Sequence, residues 1–351
     1  MRARAASRFA CVLAACFLIA CSDDRDARVA IPLPRLPAGP LELRVLYLVN
    51  ERLPQPTHEA LQALLDSGRE ATRAHFGREV RFTSIDVRPI EFYFSKFPEP
   101  AKAAAAEWIY DFKKGTGNMR RLREGFGKDL RKTGDDLDAM IGYARPYLLE
   151  AVREKSFDAL AEALISTQLA RLGQLATASA PDGRPLIDER PYNEYVYWDF
   201  MSYAPLPYEI ILTNQLIASV EYSGNSVHSA LRGGVTNGIT VGNPLSRFGA
   251  TAIVSTYPMF GTDPVTMALR AHETYSPPGS ARYAGVVLAH ELGHTLWHLG
   301  HPYGNSACVM NPTPLLHFRR WVEGLAPTRC PIGGEEAMKP GYTKMYTAGT
   351  Q

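Results

Sequence analysis

The sequence predicts an α/β chain with a large helical insertion and a largely buried, histidine-bearing helix toward its C-terminal end. Three observations predict it. A strand–helix–strand order opens the body of the chain over 43–87, helical composition fills about 98–178, and short apolar strands return over 208–257 ahead of a histidine-bearing helix. Strands alternating with helices favour a sheet covered by helices over an all-β or all-α body.

The N-terminus has to be separated from the fold first. Arg2, Arg4 and Arg8 precede an apolar run from Phe9 to Ala20. That run falls short of the ~20 residues a membrane span needs, and suits the core of a signal peptide. It ends in Leu18-Ile19-Ala20-Cys21, which resembles a bacterial lipobox. The resemblance implies removal of residues 1–20 and lipidation of Cys21. Ser22 after the cysteine implies anchoring at the outer membrane, facing the periplasm. An ordinary secretory signal is the alternative. Residues 21–41 are polar and then proline-rich (Pro32, Pro34, Pro37, Pro40), which reads as an extended tether between membrane and body.

The 38 lysines and arginines, less the three of the signal, leave 35 basic residues against 36 acidic ones. A near-neutral chain lacks the electrostatic footprint of a nucleic-acid binder.

Along the body, Leu43 to Val49 is an apolar run of strand length. Thr57 can cap a helix over 58–75 with Leu61, Leu64 and Leu65 on one face. Val80 to Val87 alternates imperfectly as a second strand. In the insertion, Leu160, Leu164, Leu169 and Leu172 recur at helical spacing. Its basic stretch 113–132 reads first as a solvated helix face, with contact to anionic lipid headgroups as the alternative. Aromatic residues crowd 192–203, where they can pack or line a cleft. Tyr208 to Leu212 and Ala250 to Tyr257 are strand-like, and Thr236-Asn237-Gly238-Ile239 predicts a hairpin turn. An exposed edge strand, assigned to 250–257, could pair with an extended peptide.

Pro277, Pro278 and Gly279 break the chain, and Ser280 can cap a helix beginning there. Val286, Val287, Leu288, Leu292, Leu296 and Trp297 mark that helix as largely buried. His290 and His294 on it are four residues apart, so both imidazoles project from one face and can reach one zinc ion. Glu291 stands beside the first of them, placed to take a proton from water on the metal rather than to bind metal. Four of the nine histidines fall within 290–301, which argues against a merely structural stripe. His298 lies eight residues after His290, about 12 Å along a straight helix. Gly300 can end the helix in a left-handed conformation and turn His301 back, making His301 the expected third ligand and His298 the alternative.

His290-Glu291-Leu292-Gly293-His294 with a later histidine, followed by Cys308-Val309-Met310-Asn311-Pro312, resembles the metzincin clan of zinc peptidases, most of all the archaemetzincin family. Gly249 to Tyr257 is similar to the strand preceding the active-site helix there. The resemblance covers mainly 205–330. It implies a zincin-like catalytic subdomain over 42–300 built on a mixed, twisted sheet with an active-site helix, a small C-terminal subdomain over 301–351, and a methionine turn centred on Met310 beneath the metal. It also implies zinc-assisted hydrolysis of peptides or proteins with Glu291 as proton carrier. The chain departs from the family pattern at Trp297, which replaces a glycine, and at a final histidine one residue late. The other cysteines of the family's structural zinc site are absent, so Cys308 and Cys330 are expected to form a disulfide. The departures motivate the rival expectation of a catalytically inactive zinc-binding surface or scaffold lipoprotein.

Overall fold

The computed structural model describes residues 36–96, 110–111, 114–133, 137–187, 204–218, 230–301 and 307–326. The signal at 1–20, Cys21, most of the tether, the aromatic stretch 192–203 and Cys330 lie outside them. In chain order, the first half holds β1 (Leu41–Val49), α1 (His58–Phe76), β2 (Val80–Pro89), α2 (Ile90–Phe94), a two-strand ribbon of β3 (Tyr110–Asp111) and β4 (Thr116–Gly117), α3 (Met119–Thr133), α4 (Leu137–Ala144) and α5 (Phe157–Ala176). The second half holds β5 (Ile210–Thr213), β6 (Ile217–Ala218), β7 (Val235–Thr236), β8 (Gly238–Gly242), β9 (Ala250–Ser255), α6 (Tyr257–Phe260), α7 (Pro264–Leu269), α8 (Pro277–Trp297) and α9 (Phe318–Glu323).

The fold is mixed α/β around a five-stranded sheet of order β2-β1-β5-β9-β8. The first four of these strands run parallel, and β8 runs antiparallel to β9. β1 is apolar at nearly every position because both faces of the sheet are covered. Leu43, Val45 and Tyr47 point into the main core with α1 and α8, while Leu46 and Leu48 point into a second core with Ile90, Tyr93, Ile211 and Ile253. The pairing of β1 with β2 slips between Leu43 and Val45, where the Val45 amide donates to the Thr83 hydroxyl. Glu209, fully buried before β5, accepts from the Arg44 amide and guanidinium and from the Arg247 amide, tying β1 to the loop between β8 and β9.

Local chemistry sets the helix ends. The Thr57 side chain accepts from the Ala60 amide, and Gly77 ends α1 at φ 66°. α8 starts earlier than its sequence suggests. Ser276, not Ser280, is its cap, and Pro277 and Pro278 occupy its first turn. Proline is tolerated there because the first amides of a helix have no intrahelical partner. Ser280 instead donates its hydroxyl to the Met259 carbonyl.

The Asn237-Gly238 step is not a hairpin. Val235–Thr236 pairs with Ile217–Ala218 in a separate ribbon, and Gly238 opens β8 in the main sheet. Gly238 does not adopt a positive φ; the left-handed glycine of the β8–β9 connection is Gly249, at φ 76°. The strand at 250–255 is internal, between β5 and β8, so among the described residues the sheet edge beside α8 is β8.

In the insertion, Leu122, Phe126, Met140, Leu160 and Leu164 form a core of their own. Leu172 and Leu175, in the last turns of α5, join the main core. On α3, Arg120, Arg123, Glu124 and Lys128 are exposed, with ion pairs Arg120–Glu124 and Arg123–Glu162. Among the described residues no helix is long and apolar enough to cross a membrane.

Candidate metal centre

Helix α8 is held against α1 by small residues. A β-carbon on Gly285 would fall 2.6 Å from the Leu64 carbonyl oxygen and 2.8 Å from the Gly68 amide nitrogen, so the two backbones nearly touch. This fixes the helix whose last turns carry His290 and His294.

Each of these imidazoles has its Nδ1 committed. His290 Nδ1 lies 2.8 Å from the Val309 carbonyl, and His294 Nδ1 bonds the Leu299 carbonyl. A carbonyl oxygen only accepts, so both Nδ1 atoms carry the proton and both Nε2 atoms present lone pairs. Those Nε2 atoms are 3.1 Å apart, and His301 Nε2 lies 3.2 Å from the first and 2.9 Å from the second. Lone pairs directed at one another at this range repel unless a cation stands between them. The three histidines are therefore close enough to bind a metal ion. The triangle accommodates an ion at the ~2.0–2.1 Å typical of zinc–imidazole bonds. Burial pushes the His290 imidazolium down to about 3 and that of His294 to about 4. For His290 the neighbouring His294 adds to the effect and the Val309 carbonyl opposes it. Neutral imidazole is the form that ligates metal.

Of the two candidates for third ligand, the structure brings His301 to the site and uses His298 as the turn. α8 ends at Trp297, and His298 is itself left-handed, at φ 52° and ψ 34°. The expected left-handed residue, Gly300, is not the one that reverses the chain. The His298 amide donates to the His294 carbonyl and the Leu299 amide to the Gly293 carbonyl, closing the helix end. The same reversal places the Leu299 carbonyl on His294, and His301 beside His290 and His294.

Glu291 is buried next to this cluster, with one carboxylate oxygen, Oε1, 4.0 Å from His290 Nε2. The other, Oε2, accepts from the Thr240 hydroxyl of β8 at 2.9 Å. Gly238 lies against the same side chain: a β-carbon there would fall 2.6 Å from Glu291 Cγ and Oε1.

Residues 308–311 form a tight turn in which the Asn311 amide donates to the Cys308 carbonyl at 2.9 Å. Met310 is fully buried against Gly293, where any β-carbon would overlap its sulfur. The turn thus lies under the helix between His290 and His294, and its Val309 carbonyl orients His290. Trp321 of α9 donates its indole N–H to the Asn311 carbonyl, and its ring stands edge-on to His290 at 6.3 Å. Trp297 stacks obliquely on Phe76 at 4.7 Å, closing the end of α8 onto α1. Cys308 is buried, and its sulfur accepts from the Met310 amide. Its expected partner Cys330 is outside the described residues.

Thr240, Gly238 and Trp321 were not legible as site residues. A threonine two places after a glycine in Gly-Ile-Thr-Val-Gly has no chemical signature until the strand is laid beside α8. Compared with known proteins, the chain matches no family model, no curated protein and no solved structure.

Proposed function

We propose that this chain is a zinc-dependent metallopeptidase, a divergent relative of the metzincins. One observation carries the reading: a buried carboxylate, Glu291, turns one oxygen toward a cluster of three convergent imidazoles. A zinc ion held by His290, His294 and His301 would supply Lewis acidity, polarising a scissile carbonyl and lowering the pKa of water toward ~7. Glu291 takes a proton from the attacking water and passes it to the leaving nitrogen. Burial of the site strengthens these charge interactions. Substrate affinity is assigned to β8, the antiparallel edge beside α8, in place of 250–257. An extended peptide added there would gain main-chain hydrogen bonds with little dependence on its side chains.

Metal analysis combined with cleavage of a peptide library tests the proposal. Glu291→Ala should keep its zinc and lose activity by about 10²–10⁴-fold, the usual contribution of a general base. Undiminished turnover in that variant refutes the role. Cleavage insensitive to a chelator refutes zinc dependence, and metal-loaded protein that cleaves no peptide favours the inactive zinc-binding lipoprotein. The lipid anchor at Cys21 and a location at the bacterial outer membrane belong to the same proposal. They predict that Cys21→Ala abolishes fatty-acid labelling and releases the chain from the membrane fraction.

A further inference from the structure

We infer that Thr240 is a positioning residue for Glu291, holding one carboxylate oxygen so that the other faces the imidazoles. The inference rests on the peptidase reading above and adds to it the device that aims the proton carrier.

The geometry divides the labour clearly. Thr240 Oγ1 is 2.9 Å from Glu291 Oε2 and 3.2 Å from the Glu291 carbonyl oxygen, and a hydroxyl has one proton to give. Thr295 Oγ1 already donates to that carbonyl at 2.9 Å. The Thr240 proton therefore goes to the carboxylate, where the charge makes the stronger bond. Gly238 lies two residues earlier on the strand, so it presents the same face toward α8. Its missing side chain leaves the space that Cγ and Oε1 occupy. Glycine at 238 provides room, threonine at 240 provides the donor, and together they select one orientation of the carboxylate.

The terminal torsion of a glutamate is otherwise broad. Proton transfer needs the carboxylate within about 2.6–3.2 Å of the proton's carrier. The strand that provides this lock is also the sheet edge beside the helix. A peptide pairing with β8 would thus bear on the element that aims Glu291.

The test uses the full chain loaded with metal and two variants, Thr240→Val, which keeps the shape and removes the hydroxyl, and Thr240→Ser, which restores it. Thr240→Val should keep its metal, its melting temperature and its KM, while kcat falls about 10–100-fold, as misplacement of a reacting group does. Thr240→Ser should recover most of that loss. A readout independent of turnover is the visible spectrum of the Co²⁺-loaded protein at one fixed pH. It should change in Thr240→Val toward that of Glu291→Gln, and return in Thr240→Ser. A Thr240→Val variant with wild-type kcat and wild-type cobalt spectrum overturns the inference. So does one that loses metal or melts early, since Thr240 would then act on the fold. If Glu291→Ala cleaves like the wild type, it is the peptidase reading that fails, and the cobalt spectra still decide whether Thr240 acts on Glu291.

Discussion

His298 and His301 are three residues apart, and the backbone between them decides their roles. A non-glycine residue in the left-handed region costs on the order of 1 kcal/mol, and His298 occupies it at φ 52°. His298→Gly should therefore keep the bound metal and raise stability by about 1 kcal/mol, because glycine adopts that conformation freely. His301→Ala should lose the metal. Metal content and thermal melting of the two variants check this; metal loss in His298→Gly with retention in His301→Ala would reverse the assignment. His290 and His294 were legible as a pair from their four-residue spacing alone, which fixes their common face on any helix. The third ligand was less legible because the place where a helix stops depends on what receives its last carbonyls.

At the scale of elements, α8 works as a platform because it can approach α1 very closely. Gly285 is the contact, and the obstacle to any side chain there is backbone, the Leu64 carbonyl at 2.6 Å from an added β-carbon. Backbone yields less easily than a rotamer. Gly285→Ala should cost about 1–3 kcal/mol, the usual penalty of overpacking, measurable by denaturant titration. It should also weaken metal binding, since the shifted helix carries two ligands. A variant with unchanged midpoint and unchanged metal affinity would show that the crossing is looser than its geometry implies. Apolar patterning found β1, α1 and β2 within a few residues of their bounds, because burial on one or two faces is written directly into the order of side chains. It did not give the edge strand. Strand order arises from pairings far apart in sequence, such as Ile210 with Ala252 and Ile239 with Ile253.

At the scale of the whole molecule, the centre joins segments distant in the chain. α8 contributes His290 and His294, the segment after its end contributes His301, the 308–311 turn orients His290, and β8 holds Glu291. A ligand that binds only the assembled state stabilises it, by about 2.7 kcal/mol at a hundred times its Kd. Chelation should accordingly lower the melting temperature by roughly 4 °C, since the entropy of unfolding of a chain this long spreads that loss over about 0.6 kcal/mol per degree. The metal-free protein should also be sensitive to acid. In the fold His290 and His294 take up protons only near 3 and 4, whereas in the unfolded chain they do so near the ordinary ~6.5. Below about pH 6.5 the unfolded state therefore binds more protons, and stability falls as pH drops toward those folded values. Above about 6.5 it should be level with respect to these two groups. Denaturant midpoints of the chelated protein at about pH 7.5 and pH 5 check the sign; equal values would mean that the imidazoles are not buried as neutral groups.

Apart from the turn at Met310, which only the family resemblance implied, the sequence by itself determined the α/β class and the helix with its paired histidines and adjacent carboxylate. These are local properties: periodicity, spacing along a helix, and the order of polar and apolar residues. Only the tertiary structure decided that His301 completes the triad while His298 makes the turn, that Pro277 begins α8 rather than breaking the chain, and that β8 is the edge. The same holds for Thr240, Gly238 and Gly293, whose meaning lies in what they face across a gap between elements. A residue's chemistry is carried by its own side chain, but its role here is set by a neighbour tens of residues away, and contacts of that range leave no mark in local sequence order.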